Sequence, residues 1–309
     1  MRTHTTVDKK FAVKVDEDCT LLDFLSRKLQ GYSRNKIKSL MEHRLLSLSD
    51  GTLLQRHDTA LKKGQVVEVH SARTRAGKVV DNPKLNIIYE DDFIIVVEKK
   101  EGLLSVRAPR QLEDSASHIL NMYLRGRRGR NNHIFVVHRL DKETSGVMMF
   151  AKDRDTQLAL RDNWRDMVKE RSYIAVVTGV MEQGNGSIKS YLTEDIHQKM
   201  HSSEEDNGGQ YAVTNYKVLQ TGKRYSLLRL DLETGRKNQI RVHLESTGHP
   251  VAGDLKYSGG PCPLNRLCLH AQTLDFIHPV TRKRLRFEIP YPESFNRLVA
   301  ERNPKPRCK

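Results

Sequence analysis

The chain has 309 residues, and its 53 lysines and arginines against 38 aspartates and glutamates give a formal net charge of +15, which points to a polyanionic partner such as nucleic acid or a membrane surface. No apolar run approaches the roughly 18 residues of a membrane span, and the opening MRTHTTVDKKF lacks the apolar core of a signal peptide, so the cytoplasm is the expected compartment. Four scattered cysteines, Cys19, Cys262, Cys268 and Cys308, exclude a disulfide framework, and the length suits two domains at roughly 150 residues each.

In chain order, Phe11 to Val15 alternates like a strand, and Leu21, Leu22, Leu25 and Leu29 recur at helical spacing. A second helix is expected with Ser33 as N-cap, Ile37, Leu40 and Met41 on one face, and Arg34, Lys36 and Lys38 projecting elsewhere. Leu46-Ser47-Leu48, the turn at Ser49-Asp50-Gly51 and the strand Gln65 to Val69 close a small mixed module over residues 1–72. LLDFLSRKLQGYSRNKIKSLMEHRLLSLSDG followed by LKKGQVVEV resembles the S4 RNA-binding module. The resemblance implies that Arg34, Lys36 and Lys38 touch RNA, where cations release counterions from phosphate without reading sequence; the plain alternative is a solvated helix face.

Residues 73–84 are polar, basic and broken by Gly77 and Pro83, as a linker would be. A larger domain is expected over 85–302, with a basic tail at 303–309. Asn86 to Glu90 and Phe93 to Val97 flank Asp91-Asp92 as a hairpin, Leu112, Ile119, Leu120 and Tyr123 are spaced for a helix, and RGRRGR from Arg125 reads as a mobile basic loop. Ile134 to Val137 reads as a buried strand that delivers the polar nonapeptide HRLDKETSG, His138 to Gly146, to a strand end. After it come a strand from Val147 to Ala151, a helix with the apolar stripe Leu160, Trp164, Met167 and Val168, in which Trp164 is expected in the core, and a strand from Arg171 to Val177. A polar loop is expected from Thr193 to Gln210, then strands at Tyr211 to Leu219, Tyr225 to Leu232, Leu267 to Phe276 and Leu285 to Ile289. Many strands with few helices predict an α+β domain on a largely antiparallel or mixed sheet.

IIYEDDFIIVVEKKEGL, HRLDKETSG, RSYIAVVTG and LETGRKNQIRVHLESTGHPVAGDLKY stand in the order and spacing of the RluA-type pseudouridine synthases, which the chain resembles over most of 85–295. The resemblance implies an RNA pseudouridine synthase: a uridine isomerised in place, its base detached from N1 and reattached through C5, with no cofactor. Large-subunit ribosomal RNA is the implied substrate, with transfer RNA as the alternative; a non-catalytic RNA-binding or ribosome-assembly factor is the rival from another class. The expected state is a monomer.

Breaking a C–N glycosidic bond leaves cationic character on the ribose, which a carboxylate can capture or stabilise. Asp141 is the matching carboxylate; taken alone it would be read as a turn cap or a partner of Arg139. Whether it attacks the sugar, attacks the base or removes a sugar proton stays open. The resemblance makes Arg241, within QIRVHL, its ion-pair partner, an attraction of about 4 kcal/mol at roughly 4 Å and an effective dielectric near 20, before desolvation. It sets Tyr173 against a flipped uracil, Arg139 at the vacated place or the nucleotide backbone, Arg236 on a phosphate and Ile240 in the uracil pocket. Extruding the nucleotide costs a few kcal/mol.

Two departures from the family pattern stand out: Glu98-Lys99-Lys100-Glu101-Gly102-Leu103 where an Asn-Lys-Pro-x-Gly-Leu run is usual, and Asn238 where a histidine is usual. Cys262, Cys268 and His270 lack a usual zinc spacing, and Gly259-Gly260 fits no nucleotide-binding loop, so neither a metal nor a nucleotide cofactor is indicated.

Overall fold

The computed structural model describes residues 9–28, 37–38, 40–41, 46–50, 52–54, 56–70, 82–107, 114–125 and 133–300. It contains two compact units, one built on residues up to Ala76 and one carrying a large sheet. In the first, β1 (Lys9–Lys14), β5 (Val66–His70) and β3 (Leu46–Leu48) form an antiparallel sheet in that order, and β2 (Cys19–Thr20) pairs with β4 (Ala60–Leu61). Helix α1 (Leu21–Lys28) buries Leu21, Phe24 and Leu25, the i, i+3, i+4 face of an amphipathic helix. Ile37, Leu40 and Met41 are buried and Lys38 is exposed. Leu29, Ser33, Arg34 and Lys36 lie outside the described residues.

The second unit is α+β. Its eleven-stranded sheet runs β12-β11-β13-β14-β10-β15-β9-β7-β6, with β16 beside β15 and β8 beside β9. The strands are β6 (Leu85–Glu90), β7 (Ile94–Lys99), β8 (Phe135–Val136), β9 (Ser145–Ala151), β10 (Val168–Thr178), β11 (Asn185–Glu194), β12 (Met200–Ser203), β13 (Gln210–Thr221), β14 (Tyr225–Leu232), β15 (Leu269–Ile277) and β16 (Arg284–Glu288). The helices are α2 (Ala116–Arg125), α3 (Arg154–Asp162), α4 (Trp164–Met167), α5 (Gln239–Ser246) and α6 (Glu293–Ala300). Every residue of β9 is buried, and Tyr173 to Val177 of β10 are buried as well, which is why these strands read as near-continuous apolar runs. β9 pairs antiparallel with β7, but its first residues run parallel to β15, with Ser145 opposite His270 and Gly146 opposite Ala271. This parallel contact is mid-sheet. No helix among the described residues is long and apolar enough to cross a membrane.

Several expectations need correction. The segment before HRLDKETSG is a two-residue, half-buried strand rather than a buried run of four, because only Ile134 of that run packs fully inside. The expected single helix around Trp164 breaks at Asn163, and Val168 opens β10; Trp164 is half-buried, with its ring against His138 and the Arg171 guanidinium. The Thr193 to Gln210 loop is interrupted by β12, a hairpin partner of β11. β11 is mostly polar (NGSIKSYLTE) and β12 has a single apolar residue (MHSS), so hydrophobic alternation does not announce them. Leu112, the tract 126–130, most of the linker 73–84 and the tail 303–309 lie outside the described residues.

Candidate active site

Asp141 lies in the irregular stretch between β8 and β9, and its turn is fixed from both sides by the end of β7 and the segment after it. The Ser105 hydroxyl donates to the Leu140 carbonyl at 2.6 Å and accepts from the Leu140 N–H at 3.0 Å. On the other flank, the Lys142 carbonyl accepts from the Gly102 N–H at 2.8 Å and from Lys99 Nζ at 3.2 Å. Lys99 is fully buried and also donates to the Leu103 and Lys100 carbonyls. Burial pushes its ammonium down to about 8, against the opposing pull of Asp141, Glu143 and Glu101. The EKKEGL segment, which departs from the family pattern, is therefore a clamp on the Asp141 turn. Its Lys100 N–H donates to the Lys84 carbonyl at 2.9 Å, a bond that the usual proline could not make.

Gly146, the last residue of HRLDKETSG, has φ +129°, and a Cβ there would lie 2.2 Å from the Ala271 carbonyl oxygen. Only glycine lets β9 press against β15 at this point. The register continues across the sheet, with Gly146 opposite Ala271 and Ala271 opposite Tyr173. Tyr173 is thus two strands from the base of the Asp141 turn, about 10 Å at the usual strand spacing. Tyr173 is 9% exposed. Burial raises the pKa of its hydroxyl, Arg171 lowers it and the Asp141 charge adds to the rise, so the phenol stays protonated at neutral pH.

Arg241 projects from α5 and brings the distant chain segments together. Its Nη1 donates to Asp141 Oδ2 at 3.2 Å, while Nε and Nη2 grip Asp254 at 2.6 and 2.8 Å. The expected partner is therefore one of two, and the closer, bidentate one is Asp254, which the sequence reading did not single out. Asp254 has a fully buried side chain and also accepts from the Lys256 and Tyr257 N–H groups at 3.0 Å each. Burial by itself would lower the Arg241 pKa; the hydrogen bonds and charge of Asp254, then Asp141, raise it well beyond the usual range. The guanidinium also lies over the Tyr257 ring, 5.0 Å from its centroid.

Asn238, the second departure, precedes α5 and also faces Asp141. With its amide turned so that nitrogen rather than oxygen meets the carboxylate, Nδ2 donates to Asp141 Oδ2 at 2.9 Å and Oδ1 at 3.1 Å, and its oxygen accepts from Tyr257 Oη at 2.9 Å. The reverse orientation would set one acceptor against another. Asp141 itself keeps 31% of its side chain exposed, at a cleft of about 630 Å³ whose lining includes Lys142, Lys237, Asn238, Arg241, Lys256 and Arg266. That volume fits a nucleoside-sized group.

The other expected site residues are placed as follows. Arg139 is exposed beside the Asp141 turn. Arg236 is half-buried, its N–H donating to Gln239 Oε1 and its Nε to the Tyr211 carbonyl. Ile240, 5% exposed, packs in the same hydrophobic core as Tyr173. Cys262 and Cys268 have free thiols 3.7 Å apart. His270 Nδ1 shares a 2.9 Å hydrogen bond with the Ser145 hydroxyl.

Comparison with known proteins identifies the family. The family model described as RNA pseudouridylate synthase matches residues 93–246, a span that holds Asp141, Tyr173, Asn238 and Arg241. A relative described as the uncharacterized RNA pseudouridine synthase YhcT of Bacillus subtilis is 32% identical over 277 residues, 86% of this chain and 88% of the relative. The chain belongs to the RNA pseudouridylate synthase family. Another relative of this family, the ribosomal large subunit pseudouridine synthase D of Xanthomonas campestris, is 32% identical over 275 residues, covering 82% of this chain and 80% of that protein. Among solved structures, human RNA pseudouridylate synthase domain containing 4 superposes with a TM-score of 0.56 at 26% identity, over 69% of this chain and 91% of its own. The protein is accordingly an RNA pseudouridine synthase, and its fold is that of the family.

Proposed function

We propose that this enzyme isomerises specific uridines of large-subunit ribosomal RNA, with Asp141 as the catalytic carboxylate. The observation that carries the reading is a partly exposed carboxylate lining a nucleoside-sized cleft, held by a buried arginine that is itself locked to a second, buried carboxylate. Such a pair keeps Asp141 ionised and aimed, as capture of the ribose or the base requires. Tyr173 offers a protonated phenol and a ring face to the flipped uracil, and Ile240 supports that side from the core. Arg139, exposed beside the turn, occupies the place of the extruded nucleotide or holds its backbone, and Arg236 binds a phosphate. Because the uracil stays in the site and is rejoined, no second carboxylate and no cofactor are needed.

The N-terminal unit is read as an S4-like module that holds RNA through Arg34, Lys36 and Lys38. Ribosomal RNA is favoured as substrate because the Xanthomonas campestris relative is described as a ribosomal large subunit pseudouridine synthase; a monomer acting in the cytoplasm completes the reading. Asp141→Asn is expected to abolish pseudouridine formation, by 10³-fold or more, while thermal unfolding stays close to wild type. An Asp141→Asn enzyme that still forms pseudouridine removes Asp141 from the catalytic role. Mapping pseudouridine in cells with and without the protein decides the substrate: lost sites in large-subunit ribosomal RNA support it, and losses confined to transfer RNA replace it.

A further inference from the structure

Asn238 is the N-cap of α5, yet its side chain makes no capping hydrogen bond. An asparagine in that position ordinarily turns its oxygen onto the first-turn N–H groups. Here the residue sits in the left-handed region at φ +52°, which asparagine tolerates better than most, and the amide points to Asp141. The direction of the amide is fixed from behind. Tyr257 Oη accepts the Met200 N–H at 3.0 Å and donates its single proton to the Asn238 oxygen at 2.9 Å, which turns the amide nitrogen toward the carboxylate. Tyr257 is fully buried. The same ring supports the Arg241 guanidinium at 5.0 Å. One buried tyrosine thereby aligns both side chains that reach Asp141, the arginine through its ring and the asparagine through its hydroxyl.

The two donors do different things to the carboxylate. Arg241 reaches Oδ2 alone, while Asn238 bridges Oδ2 and Oδ1 at 2.9 and 3.1 Å. With Arg241 alone, Asp141 could swing about its bond to Oδ2; the bridging amide fixes the carboxylate plane and leaves Oδ1 the less engaged oxygen for substrate. We propose that Asn238, directed by Tyr257, is a positioning residue that sets the plane of the Asp141 carboxylate and presents Oδ1 to the flipped uridine. The proposal deepens the reading of Asp141 as the catalytic carboxylate and rests on it. An amide has no titrating proton, so Asn238 adds no pH dependence of its own to this contact, where an imidazole in its place would. The charged groups facing the arrangement are Asp141, Arg241 and Asp254, with Lys199 and Lys256 over the Tyr257 ring at 5.4 and 5.7 Å, Lys99 acting on Asp141 through its charge, and Lys142, Glu143, Lys237 and Arg266 around the same cleft.

The test uses the full chain on in-vitro-transcribed large-subunit ribosomal RNA, following release of tritium from C5 of labelled uridine. Asn238→Gly removes the amide while keeping a residue that accepts a positive φ; kcat is expected to fall at least tenfold with KM within about threefold. Tyr257→Phe lowers kcat less, and the double variant falls no further than Asn238→Gly, since both act through one contact. Asn238→His retains activity but gains an inflection in its pH–kcat profile near the imidazole value of about 6.5, absent from wild type. A second readout does not depend on turnover: the Asn238 side-chain amide resonance in a specifically labelled sample is expected to shift on Asp141→Asn and on Tyr257→Phe. A kcat for Asn238→Gly within twofold of wild type, additive losses in the double variant, or an amide resonance unmoved by Asp141→Asn overturns the proposal while wild-type activity leaves the enzyme's reading intact. A wild-type enzyme inactive on this RNA counts against the substrate reading alone, and the amide resonance then decides the positioning role.

Discussion

Arg241 is 8% exposed and faces two carboxylates, one open to the cleft and one sealed in the interior. Removing the sealed one would leave a buried guanidinium with a single, longer contact, and breaking a buried ion pair costs roughly 3–5 kcal/mol. Asp254→Asn keeps the volume and removes the charge, so its midpoint in urea is expected to fall by an amount equivalent to roughly that loss, with kcat reduced in parallel because Nη1 loses its aim. Unchanged stability would show that Arg241 finds its compensation in Asp141 alone. The aspartate was absent from the sequence reading for a physical reason: a lone Asp in a Gly/Pro-rich turn carries no periodic signal, and only folding brings it within 2.6 Å of an arginine 13 residues earlier.

At the scale of elements, the close approach of β9 and β15 is the most exacting demand. Gly146→Ala would drive a Cβ to 2.2 Å from fixed backbone as well as straining a φ of +129°. Gly208, at φ +78° with nothing within 4 Å of a notional Cβ, supplies the control. Thermal unfolding should show a loss of roughly 3 kcal/mol or more for Gly146→Ala and only about 1 kcal/mol for Gly208→Ala; equal losses would mean that the strands can part. Strands buried on both faces, such as β9 and β10, were legible because their apolar runs are unbroken. β11 and β12 were not, since each buries a single large apolar residue, Leu192 and Met200, in a small cluster, and the rest of their contacts are polar, as those of Ser190 with His243 and Ser202. The clamp of Lys99, Gly102 and Ser105 on the Asp141 turn was equally hidden: its bonds go to backbone carbonyls and one backbone N–H, which every sequence possesses. HRLDKETSG and QIRVHL did give the two ends of the Asp141–Arg241 pair, whereas Asn238 read only as a missing histidine.

For the whole molecule, the net charge of +15 sets how RNA is held. Phosphate contacts release counterions, and for single strands each contributes about −0.7 to the slope of log K against log salt. Filter binding of ribosomal RNA across a salt series is expected to give a steep negative slope, and Lys38→Ala, at an exposed position of the N-terminal unit, should make it shallower by about that amount. A slope unaltered by Lys38→Ala would remove this residue from the phosphate contacts.

The parallel meeting of β9 with β15 has a temporal side. Ser145 and its partner His270 are separated by 125 positions, and contacts so distant in sequence form late because closing the intervening loop is entropically costly. During synthesis, the Asp141 turn leaves the ribosome long before α5 brings Arg241 and longer still before β15 closes the edge beside Gly146. A partly made chain carries its N-terminal unit while its carboxylate has neither partner nor frame, so the hold on RNA proposed for that unit would precede the capacity to alter the RNA.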